Sequence, residues 1–528
     1  MRNQPWSRES PPGPYDVIVI GSGMGGMTCA ALLAKTGHKV LVLEQHYVPG
    51  GFTHTFARKG WVWDVGVHAV GEVTRHSMPG RILHALTDGA LQWASLGESY
   101  DQFHFPDGFR IDFPDTPQKF RDALIKAFPA EAKAIDRYIS LCKEVVKHFQ
   151  AYVAGRLLPL STAFLTDAVL MRGIRPYLQR TTKEVMDELT NNEHLKTVLT
   201  AQWGYYGVLP DRSSFAMHAL VVKHFLYGGF YPVGGSARIA STLLDTVAKA
   251  GGWTRIFADV SEILVDGGKV QGVRLKTGEE LRAPIVVSAA GVGQTVRNLL
   301  PAGLREDDWA QSVEKLKASA AHVCLYIGFK GDIRAAGASS ANQWFYNTWV
   351  HDQAAWPLKP GEKPEPAHVL YTSFPSLKDP EFTGDKHTAE VVTFVDYDLF
   401  NEWKEKRWRR RGEEYEAFKK DVEQTLLKQL FSHLPKLEPM VQYVELSTPL
   451  STEHFVRPQR GSIYGLEPTP DRYGNKWLRP KSPVAGLYFA GADVSTVGVV
   501  GAMMGGVTGA TAVHPVDVGR YVANCLRK

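Results

Sequence analysis

Gly21, Gly23 and Gly26 stand in G-x-G-x-x-G spacing within Ile20-Gly-Ser-Gly-Met-Gly-Gly26, and an acid, Glu44, follows about 20 residues on. The chemistry this spacing serves is dinucleotide binding. Gly21 makes the tight turn, Gly23 lets the backbone approach a pyrophosphate, and Gly26 lets a helix pack closely on the preceding strand. The pyrophosphate sits at the helix N-terminus, where free N–H groups and the helix dipole favour an anion. A carboxylate at Glu44 accepts hydrogen bonds from the ribose hydroxyls of an adenosine. The elements that must hold these residues surround them. Tyr15-Asp-Val-Ile-Val-Ile20 reads as a strand, the Ala/Leu-rich stretch after Gly26 as a helix, and Lys39-Val-Leu-Val-Leu43 as a second strand ending on the acid.

The 528 residues exceed one ordinary core, so two domains or one domain with large insertions are expected. With 44% apolar and 22% charged residues the composition is that of a folded globular protein. Cys29, Cys142, Cys324 and Cys525 are far apart and form neither a C-x-x-C pair nor a Cys/His cluster, so no metal site is expected and a reducing compartment fits. Met1 to Pro14 is polar and proline-rich, without the apolar core of a secretory signal, which leads us to expect a cytoplasmic protein. The apolar runs 17–34 and 485–513 are broken by glycines, and neither reads as a membrane span. A net charge of +5 allows loose association with anionic lipid, but no basic module suited to nucleic acid is visible. The densest basic run, Lys404 to Arg411, reads as a solvated helix face.

Along the chain the nucleotide-domain pattern appears three times. Residues 14–75 hold the first unit, with Val48-Pro-Gly50-Gly51 and Asp64-Val-Gly66-Val-His68 after it. Residues 76–230 change character to long amphipathic stretches, such as Pro117 to Ala154, with few strand signals, and look like an inserted cap. The pattern returns over 231–302 as a helix near 237–250, a hairpin turning at Asp266-Gly-Gly268, and the apolar strand Ile285-Val-Val-Ser288. A second mixed insertion, 303–446, carries a strand-like stretch at 321–327 and a charged helix at about 400–434. Residues 447–520 close the pattern with Leu487-Tyr-Phe-Ala-Gly491-Ala-Asp493 and an Ala/Gly-rich helix from Gly498. The expected class is α/β, a Rossmann-type domain assembled from three segments with an inserted α+β substrate domain.

These residues resemble the phytoene desaturase-like flavoprotein superfamily, within the glutathione reductase-type FAD fold, and the fit is closest to the retinol saturase and carotenoid isomerase branch. The resemblance runs from Tyr15 to about Val513. It is carried by Gly50-Gly51 continuing to His54-Thr-Phe56, by Asp64 to His68, and by Gln202-Trp-Gly-Tyr-Tyr-Gly207. Ser214-Phe-Ala-Met-His218, Gly229 to Gly235, Gly491-Ala-Asp493 and Gly498-Val-Val-Gly501 complete it. It implies FAD as the cofactor. Gly21, Gly23, Met24, Gly25 and Gly26 would then hold the diphosphate, Glu44 and Gln45 the adenosine ribose, and the Val260 backbone the adenine edge. Gly50, Gly51 and Phe52 would lie along the ribityl and isoalloxazine. Gly491 and Asp493 would meet the ribityl and diphosphate end. The amides of Gly498, Val499, Val500, Gly501 and Ala502 would open a helix onto the flavin N1/O2 edge.

No G-x-S-x-G elbow, H-E-x-x-H motif or Asp-rich metal loop is present. The resemblance implies an oxidoreductase that saturates or desaturates a carbon–carbon bond of a polyene or isoprenoid lipid, retinoid-like or carotenoid-like. Such a reaction needs an apolar tunnel at the flavin, with a proton source or a carbocation-stabilising group to complete it. His68 is the first candidate for that group, and a buried core histidine is the alternative reading of it. His218, Tyr206 and Tyr464 are weaker candidates, for each of which a core role is the favoured reading. Residues 156–178, apolar with Arg156, Arg172 and Arg175 at the edges, suit either a peripheral membrane contact or a core helix of the cap. The electron partner is left open among quinone, oxygen, a reductase and NAD(P)H. Three other readings stand beside the first: a cis/trans isomerase requiring reduced flavin, an amine oxidase, and a non-catalytic prenyl-lipid binding protein like the Rab escort proteins.

Overall fold

Val17–Ile20, four β-branched residues buried on both sides, form the middle of a six-stranded parallel sheet. The computed structural model describes residues 4–158, 160–161 and 169–527. The strand order is Trp6–Ser7, Trp253–Arg255, Val40–Leu43, Val17–Ile20, Ile285–Ser288 and Leu487–Phe489, every pair parallel. Helices Met24–Lys35, Ala237–Lys249 and Gly498–Val513 cover one face. The three-stranded sheet of Val260–Asp266, Lys269–Leu275 and Glu280–Arg282 covers the other, together with Asp308–Glu314. Strands from three distant parts of the chain therefore end side by side, with their C-terminal ends at one edge, where open α/β sheets bind ligands.

A second sheet has seven strands in the order Val441–Ser447, Ala321–Lys330, Lys386–Val395, Val369–Ser373, Asn342–Tyr346, Ser99–His104 and Arg110–Pro114. It is antiparallel except between Asn342–Tyr346 and Ser99–His104. Side chains alternate between its faces. Val323, Leu325 and Ile327 join the core beneath helix Glu413–His433, whereas Cys324 and Tyr326 join an aromatic core under helices Ala132–Leu157 and Phe215–Phe225. Val369, Tyr371, Val392 and Phe394 face the same way as Tyr326.

Several expectations are corrected here. Residues 76–230, which show few strand signals in the sequence, contribute Ser99–His104 and Arg110–Pro114 to the sheet built by the second insertion. Asp101 is fully buried, so a charge stands where the alternating pattern leads one to expect an apolar residue. The stretch 117–154 is two helices, Pro117–Ala127 and Ala132–Leu157, broken at Phe128-Pro129. The charged helix begins only at Glu413, after Gly412 at φ 97°, and Lys404 to Arg411 runs as turns, with Arg411 buried. Of the segment 156–178, Ala163-Phe164-Leu165 and Ala168 lie outside the described residues. Arg156 is not an edge residue: it is buried and donates to the carbonyls of Tyr473 at 2.7 Å and Asn475 at 2.9 Å. Among the described residues no helix is long and apolar enough to cross a membrane.

Candidate active site

One cavity of about 1910 Å³ begins at the strand ends of the parallel sheet and runs under the seven-stranded sheet. Sites for single small ligands span ~300–1,000 Å³, so this volume suits a dinucleotide together with a second ligand.

At the sheet end, the chain is shaped for close approach of a flat ligand to backbone. Gly21 turns at φ 92° and its N–H donates to Leu43 O at 2.8 Å. A Cβ on Gly23 would meet nothing within 4 Å, because this residue faces the cavity at the mouth of helix Met24–Lys35. A Cβ on Gly26 would lie 2.1 Å from Gly21 O, and one on Gly51 2.9 Å from Gly23 Cα. Helix Gly498–Val513 opens into the same cavity, so the positive ends of two helices converge there.

Two carboxylates brace the cradle. Glu44 Oε2 accepts from Ser22 N at 3.1 Å and Ser22 Oγ at 2.5 Å, and Oε1 accepts from His46 N at 2.8 Å. Asp493 accepts from Val292 N at 2.8 Å and Leu466 N at 3.1 Å, which ties three separate segments together. Gln45, Phe52, Val260 and the Gly498 to Ala502 turn line the cavity, whereas the Gln45 amide is held by Phe455 O at 2.6 Å. Paired helix ends, glycine backbone open to the cavity, an acid at the second strand and a volume for two ligands fit FAD.

The far chamber is floored by Trp344, Tyr371, Val392 and Phe394, which all project from the seven-stranded sheet, and by Tyr205. Met78 and Tyr227, which are 39% and 56% exposed, also line the cavity. His68 lines the cavity beside this floor, its ring 5.3 Å from that of Tyr371. Burial, Lys378 and His322 push its imidazole down to about 3, so the ring is neutral.

Tyr464 lines the cavity too, but its hydroxyl donates to Gly204 O at 3.1 Å. His218 and Tyr206 are placed elsewhere. Both are buried in the aromatic core, where His218 Nδ1 meets Tyr206 OH at 3.2 Å and Nε2 meets Tyr138 OH at 2.8 Å. With both ring nitrogens bonded away from the cavity, His218 is a satisfied core histidine.

Sequence reasoning missed the charged cluster behind His68. The Lys378 ammonium, fully buried, donates to His68 O at 2.7 Å, Asn342 Oδ1 at 2.5 Å and Ser373 Oγ at 2.7 Å. Burial pushes it down to about 8, and Glu390, Asp64 and Asp101 hold it up against that. Asp101 accepts from Gln202, Tyr205, Asn342 and Trp344. Asp64 accepts from Tyr231 OH at 2.6 Å and from Ser236 Oγ, while burial pushes it up to about 6. Glu390 Oε1 accepts from Asp64 N at 3.1 Å, and burial together with the Asp64 charge drives its carboxyl well above the usual range. A single acid in the apolar run Ala389-Glu-Val-Val-Thr-Phe-Val395 was the available signal. Among the described residues, no group of three or more His, Cys, Asp or Glu is arranged to hold a metal ion.

A family model described as flavin containing amine oxidoreductase matches residues 24–514. The chain is 35% identical over 518 residues to the all-trans-retinol 13,14-reductase of Danio rerio, covering 94% of this chain and 85% of that protein. It is 25% identical over 466 residues to prolycopene isomerase 1, chloroplastic, of an Oncidium hybrid cultivar, covering 86% and 76%. Among solved structures, a putrescine oxidase with bound putrescine shares the fold, with a TM-score of 0.63 over 96% of this chain and 100% of the other, at 15% identity.

Proposed function

The chain belongs to the flavin-containing amine oxidoreductase family and is an FAD-dependent oxidoreductase, and from that premise we propose that it saturates a carbon–carbon double bond of a retinoid-type polyene. The observation that carries this reading is the continuity, within one cavity, of the glycine cradle and an apolar chamber floored by aromatic rings. A conjugated chain asks little of a site beyond a slot that excludes water and holds one double bond in place. The relative named as an all-trans-retinol 13,14-reductase supports that substrate class.

FAD, when bound, supplies the hydride. In this reading the parallel sheet, drawn from three segments, is a glutathione reductase-type FAD domain, and the seven-stranded sheet with its helices is the substrate domain. The N-terminus of helix Met24–Lys35 holds the diphosphate, Glu44 the adenosine ribose and Asp493 the ribityl end. The amides from Gly498 hold the flavin's N1/O2 edge, where their helix dipole stabilises negative charge. The substrate enters past Met78 and Tyr227, and His68 handles the proton that saturation requires.

The test is anaerobic. Holoenzyme reduced chemically is mixed with retinoids and carotenoids, and the flavin spectrum and product masses are followed. Flavin reoxidation with a product two hydrogens heavier supports the proposal. A product of unchanged mass with the flavin still reduced would favour the second reading, an isomerase, which the similarity to a prolycopene isomerase supports. Absence of any response with FAD bound overturns both.

A further inference from the structure

We propose that Glu390 and His68 form a proton relay, in which the buried Glu390 carboxyl recharges the imidazole that borders the cavity; this rests on reading the site as a double-bond reductase. The geometry is the ground for it. Glu390 Oε2 lies 4.0 Å from His68 Nδ1, and both atoms are inaccessible to solvent without a hydrogen-bond partner. Leaving two such atoms unpaired inside a protein is costly. They satisfy each other when the carboxyl carries a proton and Nδ1 is bare, after a small turn of either side chain or through one bridging water. The two ends also differ in access. The Glu390 side chain is 0% exposed and does not border the cavity, whereas the His68 side chain is 14% exposed and does.

The surroundings set the two groups in those states. Asp64 accepts two hydroxyls, which stabilise its anion, whereas Glu390 accepts one backbone N–H. Of the two coupled acids, Glu390 therefore keeps the proton. Burial, reinforced by the Lys378 ammonium and His322, keeps the imidazole neutral. Lys378 also fixes the ring's own backbone through His68 O, and its charge offsets the carboxylate that forms when the proton leaves.

Saturating a double bond takes two electrons and two protons. A hydride accounts for both electrons and one proton, so the second carbon needs one proton from the protein. The N–H bond at His68 Nε2 breaks as the new C–H bond forms. The O–H bond of Glu390 breaks as an N–H bond forms at Nδ1. The cycle closes when water in the cavity protonates Nε2 and the Nδ1 proton returns to Glu390, so that the net donor is water.

The test begins with the oxidised holoenzyme near neutral pH, by difference infrared spectroscopy in H₂O and D₂O. A protonated-carboxyl C=O band that shifts in D₂O and is lost in Glu390→Gln is expected. In His68→Phe the same band should move to the higher frequency of a carboxyl without an acceptor. An ionised Glu390, or a band indifferent to His68→Phe, overturns the relay, and the His68→Phe comparison stands even where Glu390→Gln fails to fold. With flavin content and polyene binding retained, Glu390→Gln should lower turnover roughly 10²-fold; undiminished turnover also overturns it. If the wild-type protein turns over no polyene while the band behaves as expected, the substrate reading fails and the proton pair stands.

Discussion

A Cβ placed on Gly25 would lie 2.4 Å from Gly491 Cα, so the first helix and the turn before Asp493 touch backbone to backbone. A Cβ on Gly505 would repeat the clash, 1.9 Å from Gly491 O. The first helix thus meets the C-terminal segment, its turn and its helix together, at one point beneath the cofactor cradle. Gly25→Ala is expected to push them apart, since overpacking of a tight site costs about 1–3 kcal/mol and backbone cannot turn aside as a side chain does. The flavin-to-protein ratio and the melting temperature should both fall. Gly303→Ala, at an exposed helical position with open space around it, should change neither.

Lys378→Met is expected to destabilise the protein by about 3–5 kcal/mol, as removal of one member of a buried charged cluster does. The substitution leaves His68 O, Asn342 Oδ1 and Ser373 Oγ without their common donor. It also removes the ammonium whose charge lowers Asp64 and Glu390, so both carboxyls rise further. A denaturant titration of wild type and variant measures the loss. A loss below about 1 kcal/mol would mean that the three acceptors find other donors.

The cradle was legible because its parts are contiguous or carried by short-range rules. The spacing of Gly21, Gly23 and Gly26 encodes a turn, and the apolar runs at 17–20 and 40–43 encode buried strands. The charged cluster was not legible for the opposite reason. Asp64, Asp101 and the Lys378–Glu390 segment come from three distant stretches, and pairing of Asn342–Tyr346 with both Ser99–His104 and Val369–Ser373 helps bring them together. No local period announces such pairing. Asp101 even concealed its own strand, since a buried acid on the inward face erases the alternation that marks a strand. His218 misled for a related reason: its partners Tyr138 and Tyr206 are a matter of helix packing, which a single sequence does not display.

Stability should fall on acidification below the histidine range. Burial lowers His68 and His218 to about 3 and His322 and His351 to about 4. Their unfolded value is about 6.5. The unfolded chain therefore binds more protons as the pH drops, and the stability present above about 6.5 is lost progressively towards 4, at up to about 1.4 kcal/mol per pH unit for each group. Asp64, raised to about 6, acts in the opposite sense and offsets part of this between its unfolded value and 6. Burial lowers His54 and His104 to about 4 as well and raises Asp101, Glu390 and Glu467. Six histidines lowered to about 3 or 4 thus stand against four raised acids, and the net expectation is a lower urea midpoint at about pH 5 than at about pH 7.5. An unchanged midpoint would show that these imidazoles reach water in the folded state.

His68 and Tyr206 separate the site from its support. His68→Ala opens space at the cavity wall without touching the glycine cradle, so FAD should stay bound while turnover falls by roughly 10²–10⁴-fold, the usual worth of a positioned proton donor. Tyr206→Phe removes a hydroxyl that meets His218 Nδ1 inside the core and does not border the cavity. Its cost should appear in stability, about 1 kcal/mol for one buried hydrogen bond, with turnover retained. Flavin absorbance, melting temperature and steady-state turnover on both variants form the comparison. If Tyr206→Phe loses turnover at full stability, the chemistry extends deeper into the helical core than the cavity does. If His68→Ala keeps its rate, the proton reaches the substrate by another route, and Glu390 has no role in delivering it.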